Sequence, residues 1–118
     1  MARILLVDDD KEFGAIFRRV VESEGHSVSV SLSVLGGLGI LRNEKFDLVF
    51  ADLSLPGENG MVLLEKSKKD YPGLPVVIIT AFGDWGSYAE AVEKGADSFL
   101  NKPAKKEEIL KVINEISR

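Results

Sequence analysis

Residues 4–13 read ILLVDDDKEF. Four aliphatic side chains, Ile4 to Val7, run straight into three acids, Asp8, Asp9 and Asp10. A short, continuous apolar run suits a strand covered on both faces, as in a parallel sheet. The acids are awkward neighbours. Two like charges 4 Å apart repel by about 1 kcal/mol in water and by about 4 kcal/mol at an effective dielectric of 20. A divalent cation relieves that repulsion.

The same pattern recurs outward from this stretch: a short apolar run, a turn, then a segment of helical period. The apolar runs are ARILLV, HSVSVSL, DLVFAD, LPVVIIT and DSFLNK. SVSVS alternates, which suits a more exposed edge strand. Between the runs lie five helical segments. In the first, Phe13, Ile16, Phe17, Val20 and Val21 recur at helical spacing and Gly25 is placed as a left-handed stop. In the third, Met61, Leu63 and Leu64 face inward and Pro72 ends the helix. The fourth is expected to bury Ala89 and Val92, with Gly95 as terminator. The fifth carries a stripe of Ile109, Leu110, Ile113 and Ile116. The second, VLGGLGILRNEK, is weak, because Gly36, Gly37 and Gly39 each cost up to ~1 kcal/mol against alanine. Close packing on the sheet and local mobility are both open explanations.

Five strands alternating with five helices give an α/β fold with a doubly wound parallel sheet. The chain of 118 residues is one domain by length, and 45% hydrophobic residues are enough for a real core. The formal charge of −4 argues against this domain gripping a nucleic-acid backbone. Without cysteine there is no disulfide, thiolate chemistry or cysteine-based zinc site. The opening MARILLVDDD reaches acids too early for a secretory signal, and no apolar run approaches the ~20 residues of a membrane helix. The composition therefore reads as a soluble, cytoplasmic domain.

In a doubly wound sheet the site lies outside the carboxyl ends of the strands. The first strand ends in Asp8 and Asp9, the third in Asp52, the fourth in Thr80, and the fifth runs into Lys102 and Pro103. The second strand delivers no such residue. Taken singly, each has an ordinary reading: a solvated loop acid, a strand-end threonine, a surface lysine. Asp10 has the clearest one, as an acid at a helix N-terminus. Together at one sheet edge they suit phosphoryl transfer to a carboxylate. Clustered aspartates are hard oxygen ligands for Mg²⁺. A carboxylate can be the nucleophile that forms an aspartyl-phosphate. A lysine pairs with phosphate and a threonine hydroxyl donates to it.

These residues carry a family resemblance. ILLVDDD, DLVFADLSLPGENG, VVIITA and GADSFLNKP stand in the order and spacing found in receiver domains of two-component response regulators, and the likeness runs end to end, over residues 1–118. The resemblance implies a flavodoxin-like (βα)5 fold with strand order 2-1-3-4-5. It implies that Asp52 is the phosphorylation site and that Asp8, Asp9, Asp52 and the backbone carbonyl of Ser54 hold Mg²⁺ or Mn²⁺. Thr80 and Lys102 would bind the phosphoryl group, with Thr80 and Phe99 as the switch pair. The implied donor is a sensor histidine kinase or phosphotransfer protein. The implied listener is an output domain or downstream protein, such as a transcription regulator, reached through the face of helix 4, strand 5 and helix 5. A phosphorylation-dependent homodimer through that face is a family-level expectation. Catalysis would be limited to self-phosphorylation and self-dephosphorylation.

Three further expectations attach to individual residues. Phe82, two after Thr80, would slow hydrolysis of the phosphoryl group. Gly83–Asp84 would open helix 4, with Trp85 either a partner anchor or a packing residue. His26, the single histidine, reads as a surface residue. Two other functions compete with the switch. A receiver-like interaction module that is never phosphorylated would tend to lose some of the acidic pair, Asp52, Thr80 or Lys102. A Mg²⁺-dependent hydrolase of the haloacid dehalogenase type would use an Asp-x-Asp motif, which Asp8 and Asp10 match by spacing, but no cap insert follows.

Overall fold

The computed structural model describes residues 1–55, 58–81 and 85–116. The main sheet contains β1 (Arg3–Val7), β2 (Ser27–Ser31), β3 (Leu48–Asp52), β4 (Val76–Thr80) and β5 (Ser98–Asn101). They alternate with α1 (Lys11–Ser23), α2 (Val34–Asn43), α3 (Gly60–Asp70), α4 (Trp85–Glu93) and α5 (Lys106–Ile116). All four pairings are parallel and the order is β2-β1-β3-β4-β5. This is the doubly wound arrangement expected from the sequence. One addition was not expected: Ser54–Leu55 and Glu58–Asn59 pair antiparallel in a small hairpin after β3.

The apolar runs lie where continuous burial is needed. Every residue of β3 and β4 is buried, and so are Ile4 to Val7 of β1. Alternate residues of each strand feed two cores. One face joins Ile4, Leu6, Phe50, Val77 and Ile79 to Phe17 and Val21 of α1 and to Ile109, Val112 and Ile113 of α5. The other joins Leu5, Val7, Val49, Ala51 and Ile78 to α2, α3 and α4. The alternating SVSVS strand lies at the sheet edge.

Helix ends follow local chemistry. Asp10 caps α1, its side chain accepting from the Phe13 N–H. Ser33 caps α2 by accepting from Gly36, and Asn59 caps α3 by accepting from Met61. Gly25 and Gly95 stand at φ +87° and +96°, as left-handed stops after α1 and α4. The α2 glycines divide into two cases. A Cβ on Gly37 would lie 2.8 Å from a methyl of buried Val7, so this glycine serves close helix–sheet packing. A Cβ on Gly39 would meet nothing nearer than the Arg42 guanidinium at 3.9 Å.

Three expected core positions are corrected. Ile16 is exposed, because it lies about 100° round the helix from Phe17, on which the buried stripe of Gly14, Phe17 and Val21 is centred. In α4, Ala89 and Val92 are exposed and Ala91 is buried instead. Val92 instead flanks exposed Tyr88 one turn away. His26 is half-buried, and its Nδ1 accepts the Ala2 N–H at 3.0 Å, so it ties down the start of β1. The expectations for Phe82 and for Gly83–Asp84 fall outside the described residues, as does the side chain of Trp85. Among the described residues no helix is long and apolar enough to cross a membrane.

Candidate functional site

Sheet register builds the site. Val7 of β1 pairs with Ala51 of β3, so the next residue on each strand, Asp8 and Asp52, emerges beside the other. The Asp8 N–H donates to the Ser31 carbonyl at 2.9 Å, which extends the β1–β2 ladder by one rung. Both carboxylates are enclosed: Asp8 is 1% exposed and Asp52 4%. Asp9 is exposed. One carboxylate oxygen from each of Asp8, Asp9 and Asp52 lies within 4.8 Å of the others.

Lys102 enters from the far side. Its N–H donates to the Thr80 carbonyl at 2.8 Å, which fixes the chain just past β5 against the end of β4. From there Nζ donates to Asp52 Oδ2 at 2.9 Å and pairs with Asp8 Oδ2 at 2.7 Å. Asp10 Oδ2 is 3.9 Å away. Thr80 is 1% exposed at the same edge. The peptide bond Lys102–Pro103 is cis.

The electrostatics are unbalanced, because the one ammonium pairs with Asp8 and Asp52 while Asp9 adds a third carboxylate to the cluster. Burial pushes the Asp8 carboxyl above its ordinary 3.8, and the Lys102 ammonium and the Asp10 N–H only partly offset it. Burial would lower the Lys102 ammonium, but the bonds to Asp8 and Asp52 outweigh it, so Lys102 is held above its usual 10.5. Asp8 Oδ2 is fully buried yet accepts no well-directed hydrogen bond; the ion pair to Lys102 is its compensation. Hard oxygen donors in excess of positive charge, one of them short of a hydrogen bond, fit a divalent cation such as Mg²⁺.

Each expected site residue can now be placed. Asp8, Asp9, Asp52, Thr80 and Lys102 converge at one sheet edge. Ser54 lies two residues beyond Asp52, in the hairpin. Phe99 lies further back along β5, opposite Ile78, and is half-buried against Tyr88 of α4, the rings 5.5 Å apart and inclined at 72°.

Three contributors were not read from the sequence. Gly60, the first residue of α3, approaches the main chain of Asp52 so closely that a Cβ there would collide with the Asp52 carbonyl. Ser31 supplies a buried polar end to β2, accepting the Asp8 N–H through its carbonyl. Phe13 lies with its ring 4.6 Å from Lys102 Nζ. Only Gly60 left a sequence signal: a glycine at a helix start directly after the third strand's loop.

Known proteins share this arrangement. Residues 4–114 match the family model for the response regulator receiver domain. Over 114 residues the chain is 39% identical to the transcriptional regulatory protein GlrR of Escherichia coli K12, covering 97% of this chain and 26% of that protein. It is 36% identical to the alginate biosynthesis transcriptional regulatory protein AlgB of Pseudomonas putida, covering 91% of this chain and 24% of that one. It thus spans about a quarter of the length of these relatives. A CheY-like receiver domain from Methanospirillum hungatei superposes with a TM-score of 0.93 at 32% identity, over 98% of this chain and 92% of that one. The receiver domain of NtrX from Brucella abortus does so with 0.91 at 30% identity, over 97% of each. With fold, strand order and sequence in agreement, this chain belongs to the response regulator receiver domain family.

Proposed function

We propose that residues 1–118 form one receiver domain that acts as a phosphorylation-controlled signalling switch, with Asp52 as the phosphoryl acceptor. The observation that carries this is the Lys102–Asp52 contact at 2.9 Å inside a three-carboxylate cluster. It supports this reading because a carboxylate that could serve as nucleophile, further hard oxygen donors and an ammonium that could pair with phosphate lie close together. Positioning and charge neutralisation are most of what phosphoryl transfer requires.

The donor is a histidine kinase or phosphotransfer protein. An Asp52 carboxylate oxygen bonds to phosphorus as the donor's P–N bond breaks. Asp8, Asp9, Asp52 and the Ser54 carbonyl would hold Mg²⁺ or Mn²⁺. The chemistry that ion supplies is neutralisation of the carboxylates and of the phosphoryl oxygens. Lys102 exchanges carboxylate for phosphoryl oxygen, and the Thr80 hydroxyl donates to another. The chain's own catalysis is confined to its phosphorylation and dephosphorylation.

Phosphorylation adds about −1.5 to −2 charge and strong acceptor oxygens. Thr80 moves towards them and Phe99 turns into the space released, which remodels the face of α4, β5 and α5. Shifting a 1:99 population to 99:1 takes about 5.5 kcal/mol, within reach of a few charge-assisted bonds at roughly 1.5–3 kcal/mol each. That face signals to an output domain or downstream protein, or to a second copy in a phosphorylation-dependent homodimer. By the nature of its relatives, transcription regulators, the output is transcriptional and the setting cytoplasmic.

The test is incubation with acetyl phosphate in Mg²⁺, beside Asp52→Ala. A mass gain of one phosphoryl group, lost in the variant, supports the switch. No gain in the wild type would leave an interaction module that is never phosphorylated. Rapid turnover of phosphate esters would mark a hydrolase.

A further inference from the structure

The Lys102 ammonium has more than its carboxylate partners to hold it in place. A lysine side chain has a flexible four-carbon stem. Its ammonium is drawn towards Asp8, Asp52 and Asp10, which lie at 2.7, 2.9 and 3.9 Å. On another side lies the ring of Phe13, its centroid 4.6 Å from Nζ. An aromatic face carries negative charge density and attracts a cation within ~6 Å.

The ring is itself held. The Phe13 N–H donates to the Asp10 cap at 3.0 Å. Its ring packs on Phe17 at 5.9 Å, and Phe17 meets Phe50 edge-on at 4.9 Å. Phe17 and Phe50 are fully buried. A chain of three aromatic rings therefore runs from the sheet interior to the lysine. A leucine at 13 could continue the apolar stripe, but it would offer no charged face.

We infer that Phe13 is a positioning residue: its ring holds the Lys102 ammonium inside the acidic site by a cation–π contact. Two consequences follow, of opposite sign. A divalent cation would draw on two of the same carboxylates, Asp8 and Asp52, that the ammonium pairs with. By anchoring the ammonium, the ring weakens binding of Mg²⁺. By the same anchoring it keeps the ammonium ready for an arriving phosphoryl oxygen, so it speeds phosphorylation. The second consequence rests on the phosphoryl-acceptor reading; the first does not.

The experiment replaces Phe13 with mono-, di- and trifluorophenylalanine, and separately makes Phe13→Tyr and Phe13→Leu. Fluorination preserves shape and drains the face of negative charge step by step. Mg²⁺ affinity is measured by calorimetric titration, and phosphorylation by phosphoramidate is followed by mass. The expected result is a stepwise gain in Mg²⁺ affinity, reaching roughly two- to tenfold in the trifluoro and leucine forms. Phosphorylation slows in parallel, and the tyrosine form stays near wild type. Loss of packing alone would weaken both properties together and ignore fluorination. Mg²⁺ affinity that is unmoved by fluorination, or lowered by it, overturns the inference even if phosphorylation proceeds. If the wild type takes no phosphoryl group while Mg²⁺ affinity still tracks the ring, the positioning role stands and the acceptor reading falls.

Discussion

Lys102 bridges two buried carboxylates that come from different strands, its Nζ 2.7 Å from Asp8 and 2.9 Å from Asp52. One ammonium thus compensates a pair of acids that the sheet register places side by side. Removing it leaves both without their cation. In Lys102→Met the metal-free protein is expected to lose roughly 1–3 kcal/mol of stability. Mg²⁺ should restore much of this, because it binds the folded state and its own competitor is gone. Urea melts with and without Mg²⁺ check it. A variant as stable as wild type without metal, with no larger Mg²⁺ response, would show that the bridge carries no weight.

Asp8 gives a pH dependence with a defined sign. Burial raises its carboxyl above 3.8 in the folded metal-free protein. A group raised on folding contributes stability that is complete below its unfolded value and is lost as pH rises through the folded one. Ionised Asp8 is therefore a liability above that window. Asp8→Asn keeps the Oδ1 that accepts the Asp10 N–H and removes the charge. Without metal, the melting temperature of the variant should gain on wild type as pH climbs from about 3.8, then hold a constant lead. In saturating Mg²⁺ the lead should shrink or reverse, since wild type retains one more ligand. A lead that shrinks with rising pH in metal-free buffer contradicts the assignment.

How much of this could be read from the sequence depended on how local the cause was. Strand-end chemistry is local: Val7 into Asp8, Ala51 into Asp52, Ile79 into Thr80 are each visible in one apolar run. Caps are local too, as with Asp10 and Phe13, three residues apart. Helix facing was legible for α5 and, Ile16 apart, for α1, which have long stripes, but not for α4. There, among the described side chains, Ala91 alone is buried, and the periodic signal from Ala89 and Val92 misleads. The role of His26 depends on where Ala2 runs, and that of Phe13 on where Lys102 arrives. Neither partner is a sequence neighbour, so periodicity showed only that Phe13 belonged to an apolar stripe.

Gly37 and Gly39 of α2 should respond oppositely to alanine. Gly39→Ala meets only an ordinary contact with the Arg42 guanidinium and gains helix propensity, for a stabilisation of up to about 1 kcal/mol. Gly37→Ala gains the same propensity, but its methyl would lie 2.8 Å from Val7, a fully buried residue of the central sheet. Overpacking of this kind costs about 1–3 kcal/mol, so the net effect is destabilising. Thermal melts of both variants decide it. Two variants shifted in the same direction would mean that α2 is not seated on β1 as described.

Gly60 links the fold most directly to the site. A Cβ there would strike the Asp52 carbonyl and approach Leu53, which are backbone atoms rather than a flexible side-chain end. The start of α3 and the end of β3 must then separate, and Asp52 moves with its own main chain. Gly60→Ala should lower stability by roughly 1–3 kcal/mol. It should also disturb the acid cluster more than Gly37→Ala does at equal loss of stability. The comparison is Mg²⁺ affinity in the two variants, each measured well below its melting temperature. A clear loss of affinity in Gly60→Ala beside near-normal binding in Gly37→Ala is the expected outcome. Equal affinities would mean that α3 can move back without displacing Asp52, and that Gly60 serves packing alone.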